Sequence, residues 1–441
     1  MDCYYTHVST IGRPPLRSPL LQELEWRGLI ADVTRPEELD THLQAGERAV
    51  YVGFDPTADS LHIGSLLPLL ALRRVQDAGH RPIVLIGGGT GLIGDPSGKT
   101  GERPLTPEDQ VAEWATRLKR QVERFMDFGR GPRAAILADN FEWLSKLRVI
   151  AFLRDVGKHF PLGAMIAKES VRSRMGRSDE GISYTEFSYQ VLQAYDFMAL
   201  QERYGCTIQL GGTDQWGNIT AGIELIKRVR GAAAFGLTLP LVTKADGSKF
   251  GKTETGTVWL DAGRTSPYEM YQFWFNTADE DVVAFLKYFT FLRREEIEAL
   301  EQVVERAPEA REAQRALARA VTALCHGEDE VRQAEEITRA FFAGEVEALS
   351  ESQLERACRG MPMTALGAEE AGGVPVLDLL ARLGLAESKK KGRELIAAGA
   401  IHINGRRVEA ADATISRDWA RFGRYLIVRK GKKTYHAATL S

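Results

Sequence analysis

The stretch Arg48–Leu70 constrains this chain more than any other. Ala49-Val50-Tyr51-Val52-Gly53-Phe54 is a continuous apolar run of strand length. Asp55-Pro56-Thr57 ends it, because proline has no N–H to give a sheet. The apolar residues after Gly64 read as a helix, with Pro68 expected in its first turn, where proline is tolerated. A strand, a short polar loop and a helix N-terminus make an anion site, since free N–H groups and the helix dipole both favour phosphate. His62 and Thr57 add side-chain donors at that end, and Gly64 lets a ligand approach the backbone. Taken alone, His62 reads equally well as an ordinary capping residue.

Further strands precede further polar loops. Arg81-Pro82-Ile83-Val84-Leu85-Ile86 is apolar throughout, as in a parallel sheet buried on both faces. It runs into a glycine-rich stretch, Gly87 to Lys99. Gly89-x-Gly91-x-x-Gly94 fits the dinucleotide fingerprint, but Asp95-Pro96-Ser97-Gly98 extends the loop where that fingerprint needs a helix. Gly98-Lys99-Thr100 ends like a phosphate-binding loop, yet Ile93 stands where that motif needs its first glycine. Thr106–Phe128 reads as a long amphipathic helix, Ala134–Leu137 as a strand and Val149–Phe160 as a helix. If Ile182–Leu200 is helical, Tyr189, Gln193 and Asp196 share one face. That face is too polar for plain core; it suits a pocket wall or a satisfied polar network. Cys206–Leu210 is a strand that leads into Gly211-Gly212-Thr213-Asp214-Gln215. Glycines with a carboxylate at a strand's end suit a ribose, and a capped turn is the competing reading. Lys249-Phe250-Gly251-Lys252-Thr253 places two lysines in a glycine-bounded loop, able to close on a triphosphate or simply exposed.

Charge divides the chain. Residues 374–441 hold 14 Lys and Arg against 6 Asp and Glu, net +8; the remainder holds 43 against 54, net −11. A small basic module on an acidic body points to a polyanion partner. In it, Ser388–Ile396 reads as a basic helix and Ile403-Asn404-Gly405-Arg406 as a hairpin. No apolar run reaches membrane-helix length. Cys3, Cys206, Cys325 and Cys358 have no metal-ligand spacing and read as free thiols of a reducing cytoplasm. Residues 1–20 lack the apolar core of a secretion signal and read as a loose extension.

Ser60-Leu61-His62-Ile63-Gly64, following Gly53-Phe54-Asp55-Pro56-Thr57, resembles the His-Ile-Gly-His signature of class I aminoacyl-tRNA synthetases. Ser65 stands at its fourth position. Lys249 to Thr253 resembles the second signature of that class, Lys-Met-Ser-Lys-Ser. These strings, with the glycine-rich loop and the Gly212-Asp214-Gln215 stretch, occur in the order of the bacterial tyrosyl-tRNA synthetase family, and the resemblance covers nearly all of Leu20–Ser441.

The resemblance implies an α/β fold. A Rossmann-like parallel-sheet catalytic domain (21–260) precedes an α-helical anticodon-side domain (261–342), a linker (343–373) and a small α+β RNA-binding domain (374–441) like that of a ribosomal small-subunit protein. It implies that Asp95, Tyr189 and Gln193 surround the ammonium of L-tyrosine, that Tyr51 and Asp196 bind its phenol, and that Gln215 lies by its carboxylate. Gly53, Asp55, Gly64, Ser65, Gly212 and Asp214 would bind ATP, and Lys99 and Arg103 would lie near its triphosphate. Thr57, His62, Lys249, Lys252 and Thr253 would stabilise the transition state, and Lys390, Arg393 and Arg407 would bind tRNA. Implied too are a magnesium ion arriving with ATP, no protein-held metal, no membrane, and a homodimer. Two rival readings are a dinucleotide-dependent oxidoreductase, resting on Gly89-x-Gly91-x-x-Gly94, and a non-catalytic RNA-binding paralogue, to which Ser65 gives some standing.

Overall fold

The computed structural model describes residues 5–7, 15–97, 105–166, 182–247, 250–253, 256–367, 373–431 and 434–440. The chain divides into two compact units: Met1–Asp261 with Ala278–Ala313, and Ala262–Thr277 with Gln314–Ser441.

The first unit is built on a seven-stranded sheet. Its strands are β1 (Tyr5–His7), β2 (Asp32–Thr34), β3 (Ala49–Phe54), β4 (Arg81–Ile86), β5 (Ile136–Asp139), β6 (Cys206–Gly212) and β7 (Phe235–Leu239). Across the sheet they run β1-β2-β7-β6-β3-β4-β5. The five from β7 to β5 are parallel, and β2 and β1 extend one edge antiparallel. The strands expected at Ala49–Phe54, Arg81–Ile86 and from Cys206 fall where the apolar runs placed them, while the one expected at Ala134–Leu137 begins two residues later, at Ile136. Strand β3 is the middle one of the five parallel strands, and the chain order reverses between β3 and β6. In open parallel sheets ligands bind at the carboxyl ends of strands at such a reversal, so the Asp55 loop and the Gly212 loop sit at the predicted place.

Several expectations need correction. Within the segment expected to be loose, the described residues 5–7 pair with Asp32–Thr34, and the backbone N–H groups of Arg17 and Ser18 donate to Asp40. Helix α1 (Pro19–Trp26) and α2 (Pro36–Gln44) lead to α3 (Ile63–Asp77), which carries Pro68 inside it rather than in its first turn. Proline there removes the bond to the Gly64 carbonyl. Burial of Leu66, Leu67, Leu69, Leu70 and Leu72 around Pro68 offsets that loss. Helix α4 (Glu108–Val122) is shorter than expected.

The stretch 261–342 is shared between the two units. The helix Asp279–Phe289 belongs to the first unit because buried Arg27 and Arg74 hold the carbonyls at its C-terminal end. Arg27 donates to Lys287 and Thr290 at 3.0 and 3.1 Å, and Arg74 to Thr290 at 2.7 Å. Burial lowers the Arg74 guanidinium to about 9. The helix Pro267–Phe275 lies in the second unit, where Gln272 donates to Thr338 at 2.6 Å.

The second unit carries a five-stranded sheet in the order β10-β16-β15-β12-β13. These are β10 (Met363–Leu366), β12 (Ile401–Ile403), β13 (Arg406–Arg407), β15 (Tyr425–Lys430) and β16 (Thr434–Leu440), while β11 (Val374–Pro375) pairs with β14 (Thr414–Ile415). The segment read as a linker holds the helix Glu351–Arg359, started by a Ser350–Gln353 capping box, and strand β10. The basic helix spans Lys389–Ala397, and Asn404-Gly405 turns β12 into β13 with φ of 48° and 85°, as expected.

At the amino ends of the strands, His42 bonds the Thr207 hydroxyl at 2.8 Å, and His80 Nδ1 accepts from the Arg48 backbone at 3.3 Å. Burial, then the Arg48 charge, lowers both imidazoles, His42 to about 4. The unfolded chain therefore takes up protons first as pH falls from about 6.5 toward 4, and stability is lost over that window. The melting temperature of the wild type is expected to drop from pH 6.5 to 5. A His42→Gln, His80→Gln variant should show a flatter profile, and an unchanged slope would refute the assignment.

Candidate active site

The site forms at the carboxyl end of β3. Gly53, Thr57, His62 and Gly64 are exposed there, beside half-buried Asp55 and Ser65. A Cβ at Gly53 would meet no protein atom within 4 Å, so the space left by that glycine is open to a ligand. His62 caps α3: its Nδ1 accepts from Gly64 N–H at 3.0 Å. That places the ring proton on Nε2, a donor suited to phosphate. Gly64 is needed for this arrangement, since a Cβ would come within 2.8 Å of the imidazole. Ser65 N–H donates to the His62 carbonyl at 2.8 Å.

The second signature is pinned to the first by backbone. Ile63 N–H donates to Val258 at 2.9 Å, Val258 N–H donates to Gly251 at 3.1 Å, and Leu260 N–H donates to Leu61 at 2.8 Å. Trp259 bridges to His62, and a Cβ at Gly251 would lie 2.7 Å from Ile63. Phe250 packs between Phe285 and Phe289, with ring centroids 5.2 and 5.3 Å away. Ala245 N–H, at the other side of the loop, donates to Asp281 at 2.8 Å. Lys252 and Thr253 lie in β8 (Lys252–Thr253), paired with β9 (Gly256–Thr257). Lys249, Lys99 and Arg103 lie outside the described residues.

A polar network forms the deeper wall. The helix Tyr184–Tyr204 presents Tyr189, Gln193 and Asp196. Tyr189 donates to Asp55 at 2.7 Å, and so does the Thr90 hydroxyl. Gly87 makes room for that carboxylate: a Cβ would lie 1.9 Å from it. Asp95 accepts from Gln215 at 2.7 Å, Gln215 accepts from Gln193 at 3.2 Å, and Asn218 donates to Gln193 at 3.0 Å. Gln215 also donates to Asp214 at 3.2 Å, and a Cβ at Gly212 would come within 2.5 Å of Asp214. Asp95, Gln193 and Gln215 are thus brought together, while Tyr189 joins them from the Asp55 side.

Asp196 is buried, and its two oxygens accept from Asn140 at 2.8 Å and Trp143 at 2.7 Å. Burial pushes Asp196 up to about 8 against those two donors. The Tyr51 hydroxyl is buried without a hydrogen-bond partner, and its ring lies 5.2 Å from that of Phe197. Burial, then the Asp196 charge, raises its phenol well above the usual range. An orphaned hydroxyl beside a buried carboxylate is costly to keep, and it suits a ligand that supplies the missing partner. The sequence alone assigns Thr90, Asn140 and Trp143 no role in the site. Their one signal is position: each follows β4 or β5 at the same end of the sheet. Among the described residues no cluster of three His, Cys, Asp or Glu side chains forms a metal site.

The fold and the paired signatures are those of a class I aminoacyl-tRNA synthetase. A family model described as tRNA synthetases class I (W and Y) matches residues 44–343, and one for the tyrosine–tRNA ligase C-terminal domain matches 353–438. The tyrosine–tRNA ligase of Geobacillus kaustophilus is 53% identical over 418 residues, 95% of this chain and 98% of that one. Tyrosine–tRNA ligase 1 of Bacillus subtilis is 51% identical over 422 residues, 95% and 99% of the two chains. A C-terminally truncated mitochondrial tyrosyl-tRNA synthetase of Aspergillus nidulans, 30% identical, superposes with a TM-score of 0.67 over 74% of this chain and 95% of that one. This chain belongs to the tyrosine–tRNA ligase family of class I synthetases. The oxidoreductase reading falls with that result, and Thr90–Leu92 form a single 3-10 turn where a dinucleotide fingerprint would need a helix.

Proposed function

We propose that this chain activates L-tyrosine with ATP and then transfers it to the terminal adenosine of its tRNA, with roles divided as follows. Tyr51 and Asp196 bind the phenol. Asp95, Tyr189 and Gln193 hold the ammonium, and Gln215 lies by the carboxylate. Gly53, Asp55, Gly64, Ser65, Gly212 and Asp214 cradle ATP, which enters as its magnesium complex. The tyrosine carboxylate attacks the α-phosphate in line, a carboxyl-oxygen-to-phosphorus bond forms, and pyrophosphate leaves with its electron pair. The carboxylate is already ionised, so no general base is needed; the work is positioning and charge stabilisation. Thr57, His62, Lys249, Lys252 and Thr253 are assigned to stabilise the developing charge. A ribose hydroxyl of tRNA then attacks the carbonyl and AMP departs.

The observation that carries tyrosine as substrate is the buried, unpartnered Tyr51 hydroxyl near Asp196. ATP–pyrophosphate exchange tests it: exchange is expected with tyrosine and not with phenylalanine or tryptophan. No tyrosine-dependent exchange would leave the non-catalytic RNA-binding reading standing. A homodimer is supported by apolar side chains on the first unit's surface. Val149 and Ile150 are 67% and 72% exposed, with Leu153, Leu162 and Tyr184 also exposed. A cytoplasmic site is supported by three buried free thiols, Cys206, Cys325 and Cys358. No helix among the described residues is long and apolar enough to cross a membrane.

Ser65 is expected to slow adenylation without abolishing it. A hydroxyl still donates one hydrogen bond but reaches less far than an imidazole. A full donor of this kind is worth about 3 kcal/mol, and the serine recovers part of it. Ser65→His should exchange pyrophosphate as fast as wild type or faster; a slower variant would show that the pocket is built around the serine.

A further inference from the structure

We propose that Phe422 is a stacking platform for an unpaired base of the bound RNA. The inference rests on the tRNA reading above. Arg421-Phe422-Gly423-Arg424 is a tight turn: Arg424 N–H donates to the Arg421 carbonyl at 3.0 Å, and Arg421 pairs with Tyr425 across its base. Phe422 and Gly423 have φ of 53° and 64°, both in the left-handed region. A turn with two such residues takes Asn, Asp or Gly at its first central position. Another tight turn of the same domain follows that rule, with Asn404 preceding Gly405. A bulky aromatic in this conformation is a genuine outlier, and local strain of this kind is a pointer to function.

Local stability does not explain the ring. It is 44% exposed at the turn's tip. Its backing is cationic: the Arg421 guanidinium lies 4.7 Å from the ring centroid and is itself fixed by donation to the Glu347 carbonyl at 2.8 Å and the Leu349 carbonyl at 3.3 Å. Arg417 and Arg424 are exposed on the same loop, and Arg417 donates to the Gly423 carbonyl at 3.1 Å. Asn404 ties this loop to the β12–β13 hairpin by donating to Trp419 at 2.7 Å and Tyr425 at 2.9 Å. Arg406 of that hairpin reaches the Glu347 carboxylate at 3.2 Å. An aromatic face ringed by arginines matches single-stranded RNA, whose bases stack while its phosphates pair.

The test uses the full chain, tRNA binding at several salt concentrations, and thermal melting. Phe422→Asn is expected to weaken tRNA binding by about fivefold to a hundredfold, the usual worth of one stacked base. The salt slope should not change, because the substitution removes no charge. Its melting temperature should match or exceed the wild type, since asparagine suits the turn. Phe422→Trp should keep wild-type affinity. Pyrophosphate exchange should be unaffected in both. Wild-type affinity in Phe422→Asn, with wild-type tRNA binding intact, overturns this proposal alone. A wild-type chain that binds no tRNA overturns it together with the tRNA reading. A changed oligomeric state in Phe422→Asn assigns the ring to a protein interface and overturns it as well.

Discussion

Tyr51→Phe is expected to lose discrimination against phenylalanine while the free protein stays as stable as wild type or becomes more so. The hydroxyl it removes is buried and has no partner, and such a group costs about 1–3 kcal/mol in the folded state. Only a ligand that bonds this hydroxyl repays that cost. The ratio of kcat/KM for tyrosine over phenylalanine should fall about tenfold in Tyr51→Phe, the worth of one neutral hydrogen bond. Asp196→Ala should lower it further, by about a hundredfold, because it leaves buried polar groups unpaired as well as removing a partner for the substrate hydroxyl, each such group costing about 1–3 kcal/mol. The groups left without their acceptor are Asn140 and Trp143. A site built around a hydroxyl rejects the analogue lacking it by about 10⁵ in all, tyrosyl-tRNA synthetases being the reference case for that figure. Exchange assays with each amino acid and a melting curve for each variant check this. A preserved tyrosine-to-phenylalanine ratio in both variants would remove these residues from the pocket. A large loss of stability in Tyr51→Phe would assign the hydroxyl to the scaffold instead.

This pocket also shows where sequence reasoning stops. The strand–loop–helix of β3 and α3 was legible because a continuous apolar run, an Asp-Pro break and a second apolar run encode it locally. The face of Tyr189, Gln193 and Asp196 was legible because helical spacing is local too. What holds Asp196 in place was not. Asn140 and Trp143 lie 56 and 53 residues away in the chain, and nothing near them states that they meet a carboxylate. The partner of a helix is equally silent. Asp279–Phe289 and Pro267–Phe275 are both amphipathic and adjacent in sequence, yet one closes on Phe250 and the other on a helix of the second unit. The linker expected at 343–373 missed a legible cue, since Ser350 and Gln353 spell a helix start.

The largest effect outside the pocket is expected from Lys390→Glu, Arg393→Glu, Arg407→Glu in the full-length chain. The first two residues stand three apart on one face of the Lys389–Ala397 helix. All three are exposed. Their neighbours are already engaged: Lys389 with Asp378 at 2.5 Å and Lys391 with Glu394 at 3.0 Å. Three consecutive lysines at a helix N-terminus oppose the dipole, which favours anions there, so their place in the chain answers to a partner and not to the helix. Arg407 lies against Gly399 just beyond the other end of that helix, within 2.5 Å of where a Cβ would stand. Removing one cation that pairs with a phosphate should reduce the salt slope of tRNA binding by about one. The slope of the triple variant should therefore fall by about three, with binding weaker on the order of a hundredfold or worse. Pyrophosphate exchange should stay within about twofold, because every residue proposed above for adenylation lies in the first unit. Cutting the chain after Gly373 would not test this cleanly. It would strip β16 from β10 and expose Ile337, Phe341 and Leu354, which pack against Tyr425, Ile427 and Ala437. Charge reversal leaves that core whole. Unchanged tRNA charging in the triple variant would mean that the basic module serves another polyanion, while loss of exchange would mean that the second unit is needed for adenylation itself.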